Sequence, residues 1–177
     1  APIYVRIKPT NACNQNCYYC GSKDDNVPED RVFDKKAMIP WDIMCGIIED
    51  MAEMGVKAVT FSGGGEPLMY PYIEDTLELV KEKGIDCSII TNGQALEGKK
   101  ASLLLNAKWI RVSLESACAG TYEGIRGVRT FDKIIQNIRQ FVQMKSPSCT
   151  VGINCVVGKD NYREIYDLCG LMKDVGA

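Results

Sequence analysis

Two hydrophobic rhythms alternate along the chain. Short β-branched or alternating runs lie at Ile3 to Lys8, Ala58 to Ser62, Asp86 to Thr91, Trp109 to Ser113 and Thr150 to Val157, and each predicts a strand. Between them, apolar residues recur three and four apart, which predicts helices. The first helix covers about Trp41 to Met54, with Ile43, Ile47, Ile48 and Met51 on one face and Gly55 at its end. The second starts near Pro71, a favourable first-turn residue, stripes Ile73, Leu77 and Val80, and stops at Gly84. A weaker helix covers roughly Leu96 to Asn106. The clearest one follows a loop carrying Arg126 and stripes Phe131, Ile134, Ile135, Ile138, Phe141 and Val142. The last stripes Ile165, Leu168, Cys169, Met172 and Val175, with Asn161 and Glu164 read as its cap and a reaching acidic partner.

Strands alternating with helices predict an α/β fold, a parallel sheet with helical crossovers. Closed or partial barrels and open doubly wound sheets both satisfy that pattern. In either, ligands bind at the C-terminal edge of the strands. The unusual residues fall at those edges: cysteines after the first strand, glycines after the second, Asn92 after the third, and Ser113 and Glu115 at the fourth. No linker or low-complexity segment interrupts the 177 residues, so one domain is expected over 1–177.

Composition changes this picture mainly by exclusion. The net charge is -2, with Lys and Arg scattered rather than striped, so nothing favours nucleic acid. No apolar run is long enough to span a bilayer, and no signal-peptide pattern opens the chain. The first residue is Ala rather than Met, which fits a processed product, an excised domain or an incomplete chain. Histidine is absent. That excludes a Ser-His-Asp triad, a Cys-His nucleophile pair and an HExxH zinc site. There are nine cysteines, an odd number that cannot all pair within one chain. In a reducing compartment such thiols bind metal or sit buried, and thiolates favour iron–sulfur clusters or zinc.

Three of them stand out as Cys13-x3-Cys17-x2-Cys20, in a loop rich in Asn that can turn sharply. Three thiolates can ligate three corners of a cubane and leave a fourth iron open. Two other readings are three unrelated buried cysteines, which their density disfavours, and structural zinc with a fourth ligand elsewhere. No second CxxC supports zinc. The six other cysteines read as core residues or scattered thiols, with Cys169 on an apolar helix face.

The triad, with aromatic Tyr19 just before its last cysteine, resembles the CxxxCxΦC signature of radical SAM enzymes. Gly63-Gly64-Gly65-Glu66-Pro67 resembles that family's GGEP motif after the second strand, and Thr91-Asn92-Gly93 its turn after the third. Ser113-Leu114-Glu115 resembles the ribose-contacting end of the fourth strand, although many members carry Asp where this chain has Glu115. Gly124 to Gly127 with Phe131 resembles the segment that opens the family's fourth helix.

The resemblance implies a partial (β/α) barrel of parallel strands, with about five of the usual six units present and the core truncated at its C-terminus. It implies a 4Fe–4S cluster on Cys13, Cys17 and Cys20 that reductively cleaves S-adenosyl-L-methionine. The resulting 5′-deoxyadenosyl radical abstracts hydrogen from a peptide or small-molecule substrate. Gly63, Gly64 and Gly65 would bring backbone against the methionine moiety, since no side chains intervene. Glu66 would accept from its ammonium group, with Thr91 or Asn92 nearby. Arg126 would pair with its carboxylate, or else is a surface arginine. Ser113 and Glu115 would meet the ribose hydroxyls, or else are a strand-exit serine and a solvated carboxylate. Tyr19 would lie against adenine. Asn154, with Val156 and Val157, would approach ribose or adenine, or else Asn154 is a satisfied core asparagine. The polar stretch from Ser22 to Asp34 would shape access. The expected partner is a low-potential donor of the flavodoxin or ferredoxin type, and the expected setting a reduced cytoplasm. Other function classes left open are an electron-transfer iron–sulfur protein, a zinc-stabilised binding module and, within the family, an activase that makes a glycyl radical on a partner.

Overall fold

The computed structural model describes residues 2–21 and 33–177. Most of the polar stretch from Ser22 to Asp34 therefore lies outside the described residues. The elements run β1 (Tyr4–Ile7), α1 (Trp41–Glu53), β2 (Ala58–Phe61), α2 (Ile73–Glu82), β3 (Asp86–Thr91), α3 (Gly98–Leu104), β4 (Trp109–Ser113), α4 (Ala119–Arg126), α5 (Phe131–Met144), β5 (Thr150–Asn154) and α6 (Ile165–Val175). Short 3₁₀ turns at Pro67–Met69 and Tyr162–Glu164 precede α2 and α6.

The strands form one sheet in the order β1-β2-β3-β4-β5, every pair parallel. Sequential order decides between the two architectures the pattern allowed. Right-handed crossovers that always step the same way put every helix on the same face, as in a barrel wall. A doubly wound sheet must reverse direction, and this one does not. Along each strand the side chains then divide by face. Val59, Phe61, Ile89, Ile110, Val112 and Val151 join the apolar core with Ile48 of α1, Leu77 and Val80 of α2, and Ile134, Ile138 and Phe141 of α5. The alternate residues, among them Arg6, Thr60, Ser88, Arg111 and Gly152, share the other face by register.

Five local expectations are corrected. The loop expected to carry Arg126 is a helix, α4, whose eight residues AGTYEGIR show only Tyr122, Ile125 and Arg126 to the interior. So few apolar positions carry no visible stripe. β5 ends at Asn154 rather than Val157, because its ladder to β4 stops at the Ser113–Asn154 pair, and Val156 and Val157 are exposed. Asn161 makes no cap bond to the final helix. Its Oδ1 accepts from Gly158 N (2.7 Å), and its Nδ2 donates to the carbonyls of Glu115 and Val156 (2.8 Å each), which anchors the β5 exit to the β4 exit. Glu164 instead accepts from Ala117 N (3.0 Å) and from the Thr121 hydroxyl, at the start of α4. Cys169 is exposed, one position off the buried stripe of Leu168, Met172 and Val175. The weaker helix is shorter than expected, Gly98–Leu104.

Candidate active site

Parallel strands deliver all five exit loops to one edge of the sheet, and the cysteine loop leaves β1 there. Cys13, Cys17 and Cys20 line a cavity of about 510 Å³ together with Gly64, Phe33 and Val128. Three hydrogen-bond systems hold the walls.

The first fixes the glycine loop against the cysteine loop. Gly65 N donates to Thr10 O (3.1 Å) and Glu66 N to Ala12 O (2.8 Å). A Cβ on Gly65 would lie 2.1 Å from Ala12 O and 2.4 Å from Asn11 C, and one on Gly64 would lie 2.6 Å from Asn11 Oδ1. The glycines therefore serve a close backbone approach, and the backbone they approach belongs to the cysteine loop itself.

The second runs through Glu66, which is 3% exposed. Its Oε1 accepts from the Thr91 hydroxyl (2.6 Å) and Leu68 N (3.1 Å), and its Oε2 from Asn92 N (2.6 Å). Asn92 in turn donates from Nδ2 to Asn14 Oδ1 (2.7 Å), with Cys13 Sγ 4.0 Å away. Burial pushes the Glu66 carboxyl up, against the pull of those three donors. One carboxylate thus ties the exits of β2 and β3 to the cysteine loop.

The third joins the cysteine loop to the end of α4. Asn16 N donates to Arg126 O (2.8 Å) and Tyr18 N to Ile125 O (3.1 Å), so the two amides flanking Cys17 satisfy carbonyls of the last helical turn. Gly127 follows with φ +66°, and a Cβ there would meet Asn16 O at 3.0 Å. Arg126 is buried, not a surface arginine. Its Nε donates to Glu115 Oε2 (2.5 Å), and its Nη2 meets the same oxygen as an ion pair without hydrogen-bond alignment. Its Nη1 donates to Gln15 Oε1 (3.1 Å) and Cys17 Sγ (3.4 Å). Burial is the largest single effect and opposes the guanidinium charge, but Glu115, Cys17 and Tyr19 together outweigh it, and its pKa is raised. The Tyr19 ring lies under the same guanidinium, 5.9 Å from centroid to Cζ. Burial raises the Tyr19 phenol, with Arg126 opposing and Glu115 adding to the rise.

Glu115 is 1% exposed, so the solvated alternative for it is overturned. Ser113 and Asn154 are register partners at the rim of β4 and β5, and both are half-buried, so Asn154 is not a core asparagine. The structure thus groups Gly63 to Glu66 with Thr91 and Asn92, Tyr19 with Glu115 and Arg126, and Ser113 with Asn154. Sequence reasoning missed Gln15, which is buried and donates to the Tyr122 hydroxyl (2.7 Å) while accepting from Arg126. It missed Asn14 as the partner of Asn92 as well. Their only sequence signal is their place between two cysteines.

The donor set fits a cubane: three thiols from one loop around one cavity, backed by a guanidinium donor. Thiolates are the ligands such clusters take. Among the described residues, no three Cys, Asp or Glu side chains close on a single metal ion.

A family model described as the radical SAM superfamily matches residues 7–172. A GTP 3',8-cyclase of Clostridium perfringens (strain SM101 / Type A) is 31% identical over 172 residues, covering 95% of this chain and 51% of that protein. The chain therefore spans about half the length of the curated relatives it matches. Streptococcus suis SuiB bound to S-adenosylmethionine superposes with a TM-score of 0.79 at 24% identity, covering 99% of this chain and 39% of SuiB. SuiB bound to its precursor peptide SuiA superposes equally, with a TM-score of 0.79 at 23% identity over 99% of this chain and 37% of SuiB. At that identity the likeness is one of fold, a partial barrel.

Proposed function

The chain belongs to the radical SAM superfamily, whose cofactors are a 4Fe–4S cluster and S-adenosylmethionine, and on that premise we propose that Cys13, Cys17 and Cys20 are the protein's only iron ligands and that the rim around them binds S-adenosylmethionine. When bound, the cluster supplies the electron that cleaves S-adenosylmethionine to a radical able to abstract hydrogen from a substrate. Everything else falls to this chain's own residues. The observation that carries the reading is that the β1 and β2 exit loops meet at one cavity that all three cysteines line, with the β3 exit bonded to its wall through Asn92 and Asn14.

Glu66 acts as a positioning residue. Its oxygens hold Thr91 and Asn92, so the backbone of Gly63 to Gly65 and the Asn92 side chain are set before the cofactor arrives. Only the remaining lone pair of Oε2 is left for an ammonium group. Ser113 and Asn154 take the ribose hydroxyls at the β4–β5 rim. Tyr19 takes the adenine side, its ring braced by Arg126. Arg126 is committed to Glu115, Gln15 and Cys17, so its part in carboxylate binding would go through exchange of the Glu115 contact. The substrate is a small molecule or a peptide, and the reductant a low-potential flavodoxin or ferredoxin. Among the described residues no helix is long and apolar enough to cross a membrane.

The test is an electron paramagnetic resonance spectrum of the anaerobically reconstituted, reduced protein, with and without S-adenosylmethionine, beside iron analysis of cysteine variants. A reduced-cubane signal that changes on adding the cofactor is expected. Cys13→Ala, Cys17→Ala and Cys20→Ala should each lose the cubane, while Cys118→Ala and Cys169→Ala keep it. A full cluster in Cys17→Ala would overturn the ligand assignment. A cubane indifferent to the cofactor would point to electron transfer instead.

A further inference from the structure

The sheet face turned away from the helices is not apolar. By register Arg6 stands beside Thr60, and Thr60 beside Ser88. Arg111 stands beside Ile90 on one side and Gly152 on the other. Lys8 continues the alternation of Arg6 by two residues. Arg6, Lys8 and Arg111 are all exposed, and among the described residues no carboxylate lies within ion-pair distance of any of them. Asp86, at the opposite end of the same face, is already paired with Lys108 (3.3 Å). The Arg111 guanidinium rests on the Trp109 ring, 5.0 Å from its centroid, which seats a cation without neutralising it.

Beside Arg6 lies a second, independent sign. Thr60 is 1% exposed, and its Oγ1 has no hydrogen-bond partner. A buried hydroxyl left unmade costs about 1–3 kcal/mol, and Val would fill the same space without that cost. Ser62 and Ser88, also buried, lie on the same face. The cations stand below the cofactor rim: Arg111 precedes Ser113 by two residues, about 6–7 Å along the strand.

We propose that this face is the substrate pocket and that it takes an oxyanion-bearing substrate, one with phosphate or carboxylate groups, held by Arg6 and Arg111 with the Thr60 hydroxyl donating to it. The inference rests on the reading above, because it names the substrate class of the same site. Arg6 and Arg111 are three strands and two residues of register apart, about 16 Å across a flat sheet and less across a curved one. Two long side chains spanning that width suit a ligand with two anionic groups or a short polyanion better than a single small ion. Guanidinium forks are the side chains that match phosphate and carboxylate geometry.

Calorimetric titration of the anaerobically reconstituted chain at low ionic strength, where screening is weak, tests this with pyrophosphate and succinate as probes. At least one is expected to bind. Arg6→Ala and Arg111→Ala should each weaken that binding about tenfold or more. Thr60→Val should weaken it while leaving Tm unchanged or higher, a pairing that a purely structural role would not give. Lys173→Ala, on exposed α6 surface, should do nothing. Preference for pyrophosphate assigns phosphate as the group read, and preference for succinate assigns carboxylate. Binding of neither probe, or binding that ignores both arginine variants, overturns the proposal. S-adenosylmethionine titrated into the same samples keeps two failures apart. If it binds and neither probe does, only the substrate class is wrong; if it does not bind, the cofactor reading fails with it.

Discussion

Two side chains, one in the exit loop of β2 and one on β3, show how burial sets chemistry one residue at a time. Glu66 is buried but surrounded by donors, and it is spent on geometry. Cys87, on β3, packs its sulfur against the apolar core, where burial alone pushes the thiol up to about 12 from its ordinary value of 9.0. The native state then holds a proton that the unfolded thiol releases. Its contribution to stability is complete below pH 9 and is lost as pH rises toward 12. At pH 8 only about one Cys87 in ten thousand is thiolate, the reactive form. Iodoacetamide at pH 8 should therefore label exposed Cys118 and Cys169 first, and Cys87 only once the chain unfolds. Peptide mass spectrometry over time checks this; early labelling of Cys87 would show that its burial is transient. None of this was legible in the sequence, where only Cys169 of the six cysteines outside the triad was given a place, on an apolar helix face, and it is exposed. What separates them is which strand or helix face each occupies, a property of packing rather than of neighbours in the chain.

At the scale of elements, the site depends on loops being held to one another more than on any loop alone. Gly65 shows the dependence most sharply. An alanine there would put its Cβ 2.1 Å from Ala12 O, and the contact is backbone that cannot rotate away. The Gly65→Ala chain should keep its helices and sheet by circular dichroism, because the clash lies outside every strand. It should lose iron on reconstitution and melt lower, by the several degrees that about 1–3 kcal/mol corresponds to in a domain of this size. Iron analysis beside a melting curve checks both; normal iron loading would mean the two loops need not touch. The glycine motif, the cysteine triad and the Thr91-Asn92 turn were all legible in the sequence, since each has a fixed local spelling. The clamp at the end of α4 was not. Its helix is short and poor in apolar residues, and its key contacts join Asn16 and Tyr18 to carbonyls, which have no spelling. β5 was overread for the reverse reason. Val156 and Val157 look like strand, yet strand identity needs a neighbour, and β4 offers none past Ser113. Glu115 and Arg126 were each singled out in the sequence, but their pairing was not, because eleven residues and a helix separate them.

For the whole molecule, the sequential strand order decides which side of the sheet does what. Helices wound always to one side leave the other face free to be polar, so stability and substrate binding are assigned to opposite faces of the same five strands. Adjacent residues on β2 make the claim testable. Thr60 and Phe61 are 1% and 0% exposed, so burial alone predicts similar penalties for losing either. Their faces predict otherwise. Phe61 joins the core shared with the helices, and Phe61→Ala removes a large ring from a place that cannot collapse, at a cost of about 3–5 kcal/mol. Thr60 carries an unpartnered hydroxyl, and Thr60→Val exchanges it for a methyl of nearly the same size, which should be neutral or stabilising. Urea denaturation of the two variants should give a strongly lowered midpoint for the first and an unchanged or raised one for the second. If Thr60→Val were instead as damaging as Phe61→Ala, the inner face would be a second structural core. The polar surface beneath the cofactor rim would then have to be read as packing rather than as a pocket.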